Sequence, residues 1–144
     1  MSAKDPFATL VDTVLGGSPH GPVWGQHQRA VRRGFDERRF RKALRAHWGA
    51  EADPMRVSLA VQDAVFVSGV VHTVSEQLGL DVDDRRRVAV AVVRNRLLGE
   101  PDHTLAEVDA AWSAWWPPAL GDEGQTRFAQ FLGAWRAWLA SSSR

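Results

Sequence analysis

The chain has 144 residues, a formal net charge of +1 and no cysteine. This is the length of one domain, and with 44% hydrophobic residues the chain can bury a core. The lack of cysteine excludes disulfides, cysteine-ligated zinc, iron–sulfur clusters and thiol catalysis. The near-neutral charge creates no global field that favours nucleic acid, a membrane or an acidic partner.

The N-terminal residues lack the charged start and apolar run of a signal peptide. The most apolar stretch, from Ala64 to Val71, is too short to span a bilayer. We therefore expect a cytoplasmic protein that does not enter a membrane. Sixteen arginines against two lysines, with abundant alanine and valine, indicate a bacterial genome of high GC content.

The first predicted helix runs from Asp5 to Leu15. Asp5 is suited to the N-cap, Pro6 suits the first helical position, and Gly16-Gly17 ends the helix. The apolar residues of this segment recur on one face at helical spacing: Phe7, Leu10, Val11 and Val14. The composition of residues 16–22 predicts a loop.

The stretch from Val23 to Trp48 resembles one long helix, but its apolar stripe changes phase. A first stripe ends at Phe35, and its continuation would place basic residues in the core. A second stripe starts at Phe40. We predict a break at Gly34–Asp36, where Asp36 caps the new helix and the two phenylalanines occupy the positions of a hydrophobic staple.

The segment from Asp53 to Leu78 is the longest predicted helix. Asp53 and Pro54 mark its start, and Gly79 its end. Apolar residues cover most of its circumference, which predicts a central, buried helix. A valine-rich run also suits a strand, but the length, the caps and the absence of a hairpin turn favour a helix.

Three further helices are predicted. The first, from Asp81 to Leu98, has acids at its start and arginines near its end, although the alternation over Arg87–Val93 leaves a strand as the alternative. The second, from Leu105 to Trp116, opens with a capping box of Thr104 and Glu107 and ends at Pro117-Pro118. The last runs from Glu123 to Ala140, before a tail that we expect to fray.

Together these signals predict an all-α, single-domain bundle over residues 1–144. About six helices, one of them bent near Gly34–Asp36, surround the central buried helix 54–78. Residues 1–4 and 141–144 are expected to fray.

The most unusual charge pattern is the basic segment from Arg29 to Arg45, which has eight basic residues and two acids. A ridge opposite the Phe40 stripe has helical spacing and comprises Arg38, Arg41, Lys42 and Arg45. Such a ridge suits phosphates, but the alternative is a solvated face that pairs with acids such as Asp81, Asp83 and Asp84. No nucleic-acid-binding motif is present, and aromatic residues are not interleaved with the charges.

The chain contains seven tryptophans. Five of them lie in the last two predicted helices: Trp112, Trp115, Trp116, Trp135 and Trp138. An antiparallel helix pair would bring these rings together, yet one helix cannot bury its three indoles equally. At least one should reach the surface or a cleft, as an anchor for a partner or as the wall of a pocket. Core packing is the favoured interpretation for Trp112 and Trp135.

Polar candidates for chemistry are few. His72 with Glu76, like His47 with Glu51, supplies two metal ligands at most, so we expect no metal and no cofactor. Asp63 lies in the apolar helix, where burial would raise its pKa and suit it to act as a general acid. The alternative places its carboxyl on a narrow, solvent-facing side of the helix. No nucleophile elbow or phosphate-binding glycine loop is present.

We expect a helical protein-interaction or accessory module without catalytic activity, which uses exposed tryptophan and the basic ridge to bind another protein. The first alternative is a small-molecule-binding protein or small helical enzyme. In it, tryptophans line a cavity between the last two helices and the central one, with Asp63 or His72 inside. The second alternative is nucleic-acid binding through the basic ridge. Oligomerisation is compatible with each of the three.

Overall fold

The computed structural model describes residues 5–16, 35–116 and 121–142, and this part of the chain is helical, with no strand. The α-helices are α1 (Pro6–Leu15), α2 (Glu37–Trp48), α3 (Pro54–Leu78), α4 (Val82–Val92), α5 (Ala106–Trp115) and α6 (Gly121–Ser142). A π-helical turn, Val93–Leu97, continues α4, and a 3-10 turn, His103–Leu105, precedes α5. The prediction of an all-α, single-domain fold is confirmed, and the strand alternative for Arg87–Val93 is wrong.

Four aspartates start the first four helices. The side chains of Asp5, Asp36, Asp53 and Asp81 each accept a hydrogen bond from a backbone N–H in the first turn of the helix that follows. These bonds satisfy donors that have no partner within the helix, as expected for an N-cap. At the other end of α3, Gly79 adopts the left-handed conformation with φ of 60° and ends the helix.

The predicted break before α2 is confirmed on its C-terminal side. Asp36 accepts from the backbone N–H of Arg39 at 3.0 Å, and the Phe35 and Phe40 rings lie 5.3 Å apart, as a hydrophobic staple requires. The first half of the predicted bent helix, residues 23–34, lies outside the described residues. So do the loop at 17–22, the proline pair at 117–118, and the predicted frayed residues 1–4 and 143–144.

Helix α3 is the centre of the bundle. Its buried residues come from all sides of the helix, and those from Ser68 to Ser75 are buried without interruption. By length and mean hydropathy (1.5) this helix is apolar enough to cross a membrane, so the expectation drawn from the shorter run Ala64–Val71 was too narrow. Because 72% of its most apolar window is buried inside the protein, α3 has the burial of a core helix.

Polar bonds attach the end of α1 to α3 and α4. The Ser68 hydroxyl, which is fully buried, donates to the Val14 carbonyl at 2.6 Å. The Arg85 guanidinium donates to the Leu15 carbonyl at 3.1 Å. Both carbonyls belong to the last turn of α1, where no helical N–H is available to them. Arg86 adds an ion pair with Asp12 at 2.9 Å.

Two helix ends differ from the prediction. After Val92 the chain forms a π turn, in which the Leu98 N–H donates to the Val93 carbonyl at 2.9 Å. The predicted capping box of Thr104 and Glu107 is wrong, because Asp102 accepts from both the backbone N–H (2.9 Å) and the hydroxyl (2.6 Å) of Thr104. The Asp102 carboxylate is the stronger acceptor and takes the hydroxyl proton, so the Thr104 side chain caps nothing.

The last helix is longer than predicted. It begins at Gly121 and continues through Ser142, so helical backbone includes two of the residues that were expected to fray.

Candidate ligand-binding pocket

The facing sides of α5 and α6 form an aromatic layer. Phe131 of α6 stacks on Trp115 of α5, with ring centroids 5.0 Å apart and an interplanar angle of 17°. The Trp112 ring contacts the same phenylalanine edge-on at 5.2 Å. Trp112, Trp115 and Trp135 are all buried, the last with 1% of its surface exposed. The two helices thus bring the aromatic residues together as predicted, and these three indoles belong to the core.

The other two indoles of this pair of helices are half-buried and have different surroundings. Trp138 donates from its indole N–H to the Thr104 hydroxyl at 3.1 Å and packs edge-on against Trp135. Trp116 follows the last turn of α5 and packs edge-on against Phe66 of α3, with centroids 5.3 Å apart. Each indole borders a cavity: Trp138 lines one of about 520 Å³ beside α4, and Trp116 lines a smaller one, which also has Asp63 and Arg96 in its wall.

This cavity lies between α3, the π turn and the C-terminal half of α5, and its volume is about 280 Å³. The described residues that line it are Asp63, Phe66, Val67, Val70, Arg96, Leu97, Trp112 and Trp116. Apolar side chains form most of its wall, with one carboxylate and one guanidinium among them. Pockets for small ligands have this composition, and typical volumes start at about 300 Å³.

The π turn positions Arg96 in this wall. A π turn inserts one residue into the helical repeat, which rotates the following side chains by about 100°. The Arg96 guanidinium lies over the Trp112 ring, 4.1 Å from its centroid, and its Nη2 atom is 3.4 Å from Asp109 Oδ1. Single π turns within helices are frequent at functional sites. The π turn and the cavity therefore meet at Arg96.

The two charged groups of the pocket differ in exposure: Asp63 is exposed at its edge, and Arg96 is half-buried. Burial raises the pKa of Asp63 above its usual value. Burial lowers the pKa of Arg96, and the nearby Asp109 carboxylate opposes this shift. The Nε atom of Arg96 is buried and has no acceptor in the part of the chain described here. Asp63 likewise makes no side-chain hydrogen bond or ion pair within the described ranges.

His72 does not reach this pocket. It is buried in α3 with 3% of its surface exposed, and the Arg85 Nη2 atom lies 2.6 Å from its Nδ1 atom. Over residues 5–16, 35–116 and 121–142, no group of three or more His, Cys, Asp or Glu side chains is arranged to hold a metal ion.

The predicted basic ridge divides into two parts. Arg38, Lys42 and Arg45 are exposed, whereas Arg41 is half-buried and donates to the Ser58 hydroxyl of α3 at 3.3 Å. The alternative, in which the acids of α4 neutralise the ridge, is not observed. Asp81 caps α4, and Asp84 pairs with Arg87 of its own helix at 2.8 Å. Within the described residues no ion pair joins the ridge to a carboxylate.

Sequence reasoning identified three residues of the pocket, Asp63, Trp112 and Trp116, but expected the cavity to involve both of the last two helices. It missed Phe66 and Arg96. The arginine was interpreted only as a charge favourable to a helix C-terminus, and the π turn that reorients it has no signal in the sequence. Comparison of the chain with known proteins finds no matching family model, no matching curated protein and no matching solved structure.

Proposed function

We propose that this protein binds a small organic molecule in the pocket between α3, the π turn and α5. The observation that carries the proposal is the presence of two oppositely charged side chains, the exposed Asp63 and the half-buried Arg96, at the wall of an otherwise apolar cavity beside Trp116.

A packing defect would have a different lining. Empty cavities in protein interiors are apolar, and burying a charged group costs free energy unless a partner compensates it. Here Arg96 has a long ion pair with Asp109, and its Nε atom has no acceptor among the described residues. Two charged side chains of opposite sign at the wall of a largely apolar cavity support a role in binding.

The aromatic wall supports the same proposal. Trp112 is held by Phe131 and Arg96, so its ring is a rigid surface. Trp116 is half-buried and contacts Phe66, which is half-buried as well. A ligand that covers these two rings would bury apolar area that the protein leaves partly in water, which favours binding by about 25 cal/mol for each Å².

The experiment is a ligand screen on the full chain, with a library of molecules of amino-acid size and nuclear magnetic resonance as the readout. We expect hits that shift the indole signals of Trp112 and Trp116. Val67→Phe fills the pocket and should abolish these shifts while the helical circular dichroism spectrum is retained.

A matched pair of variants tests the location. Trp116→Phe should weaken binding of each hit, whereas Trp138→Phe should not, since both indoles are half-buried and Trp138 lines a different cavity. Hits that are insensitive to Val67→Phe, or a library without hits, would contradict the proposal.

A second candidate function is binding of an acidic protein through the outer face of α2. It is favoured by the exposure of Arg38, Lys42 and Arg45 and by the absence of ion pairs to this face within the described residues. Complementary charge increases association rates and orients a partner. Loss of a captured partner on Arg38→Glu and Lys42→Glu, but not on Arg127→Glu of α6, would support it. Retention of the partner, or binding of duplex DNA instead, would contradict it.

A further inference from the structure

The first half of α3 exposes large apolar side chains on the face opposite the core. Met55 is 64% exposed and Leu59 is 53% exposed, and the half-buried Phe66 continues the same face. Spacings of four and seven residues place these three side chains within about 40° of one another around the helix axis. The opposite side of the helix is buried and includes Val57 and Ala64. A contiguous exposed apolar face of this kind indicates an interaction surface.

Two charged residues flank this face on one side. Arg56 and Asp63 are both exposed, and their spacing of seven residues places them within about 20° of one another around the axis and about 10 Å apart along it. Within the described residues neither side chain forms an ion pair. The Arg56 guanidinium lies over the Trp48 ring, 3.9 Å from its centroid, a contact that gives its N–H donors no acceptor. The outer face therefore has one donor group and one acceptor group that are too far apart to pair on the same helix.

The order of these residues along α3 is self-complementary. Arg56 and Asp63 are equally far from the midpoint between Leu59 and Ala60, about 5 Å along the axis in opposite directions. A second α3 that runs antiparallel across this midpoint therefore places its Asp63 opposite Arg56 and its Arg56 opposite Asp63. Because both charges are on the same flank of the apolar face, a single twofold axis forms both pairs at once, as an isologous interface requires.

We infer that this protein forms an antiparallel homodimer through the outer face of α3, with the two copies of Leu59 meeting at the twofold axis and Arg56 of each copy paired with Asp63 of the other. Met55 of each copy then lies beside Phe66 of the other. The apolar residues alone would suit a helix of any partner. The symmetric placement of two opposite charges favours a second copy, because complementary charges fix the register of a pair of helices.

The first test measures self-association of the full chain by sedimentation velocity. Each copy contributes only a few apolar side chains, less than a standard interface of about 1,600 Å², so we expect a dissociation constant of about 10–100 µM. The average mass should rise over this range toward twice the chain mass of 15.9 kDa. A chain that stays monomeric up to about 1 mM would overturn the inference, even if a helix of another protein binds this face.

A matched pair of variants locates the interface. Leu59→Ser should weaken self-association about tenfold or more, because each dimer loses two central apolar contacts. Val82→Ser is the control, since Val82 is also apolar and is 82% exposed, but lies at the start of α4. Both positions are exposed, so both variants should keep the helical circular dichroism spectrum. Equal effects of the two variants would contradict the proposed interface.

Charge reversal tests the antiparallel register. Arg56→Asp and Asp63→Arg should each weaken self-association about tenfold, because like charges then face each other twice across the interface. An equimolar mixture of these two variants should associate again, since both pairs in the mixed dimer have opposite charges. Arg45→Asp on the exposed face of α2 is the control and should not restore association with Asp63→Arg. A mixture that associates no better than either variant alone would overturn the proposed dimer.

The dimer and the ligand pocket can fail separately. Val67 lines the pocket and is 3% exposed, so Val67→Phe should abolish ligand binding and leave self-association unchanged. Leu59→Ser should have the reverse effect, because Leu59 is not part of the pocket lining.

Discussion

Two helices of this protein are rich in arginine, and their arginines have different environments. In α4, three consecutive residues contact three different elements: Arg85 reaches the end of α1 and His72 of α3, Arg86 pairs with Asp12 of α1, and Arg87 donates to the Leu139 carbonyl of α6. In α2, Arg38 and its neighbours on the outer face extend into solvent. The local sequences do not distinguish these environments, because both helices have several arginines in a short segment.

The difference is explained by what surrounds each helix. Helix α4 packs against α1 and α3, and Arg87 of α4 reaches α6, so its arginines meet carbonyl groups and carboxylates that need a donor. Helix α2 packs against α1 and α3 through Phe40, Ala43 and Leu44, and its opposite side faces solvent. The π turn beyond α4 adds a third environment, in which Arg96 lies over the Trp112 ring and has a long ion pair with Asp109. Arginine density alone therefore does not indicate which helix binds a partner.

The largest effect is expected at Arg85. Arg85→Met removes the donor to the Leu15 carbonyl and the contact with the buried His72 ring, and should lower the free energy of unfolding by about 2–3 kcal/mol, because buried acceptors lose their partner. The measurement is urea denaturation. Arg45→Met on the exposed face of α2 is the matched control and should change the free energy by no more than about 0.5 kcal/mol. Equal effects of the two variants would refute the contrast between the helices.

A smaller effect is expected at Arg86. Its ion pair with Asp12 is partly exposed, with 46% of the Arg86 side chain accessible, so Arg86→Ala should cost at most about 1 kcal/mol. A double-mutant cycle with Asp12→Ala isolates the coupling energy, which should fall when salt is raised, since exposed pairs are screened. A coupling of several kcal/mol, or one that is insensitive to salt, would show that the pair of Arg86 and Asp12 stabilises the fold as strongly as the part-buried bonds of Arg85.

The features that sequence predicted depend on a few neighbouring residues. An N-cap such as Asp36 or Asp53 and the staple of Phe35 and Phe40 act within one helical turn, and each is present where the sequence indicated it. The central helix was predictable because its apolar residues surround it.

The features that sequence missed depend on competition or on tertiary packing. Asp102 takes the proton that Thr104 was expected to use for a helix cap, and the phase of the π turn decides that Arg96 enters the pocket wall. Of the candidate site, Asp63 and Trp116 were predictable as unusual residues, but their shared cavity was not, since it depends on the tertiary contact of the Trp116 ring with Phe66 of α3.

The pocket predicts a small effect that changes with pH. The pKa of Asp63 is raised in the folded protein by burial, so its contribution to stability is present below the usual pKa of 3.8 and is lost as pH rises through the folded value. Asparagine does not titrate. The stability of Asp63→Asn relative to the natural chain should therefore increase from acidic to neutral pH, by less than about 0.5 kcal/mol, because the carboxyl is at the exposed edge of the cavity. If the stability of Asp63→Asn relative to the natural chain instead decreases toward neutral pH, burial does not raise the pKa of Asp63 in the folded protein.

The smallest effect on stability is expected on the outer face of α2. Replacement of Arg38, Lys42 and Arg45 by glutamine together should leave the free energy of unfolding unchanged within about 0.5 kcal/mol, because these side chains make no ion pair with the described residues. The same variant should elute from a cation exchanger at lower salt. Arg41→Gln is the informative comparison on this helix, because Arg41 donates to Ser58 of α3 and its loss should cost more than that of its exposed neighbours. If the triple variant is less stable than Arg41→Gln, the outer charges of α2 stabilise the fold. The contrast between the arginines of α2 and those of α4 would then be wrong.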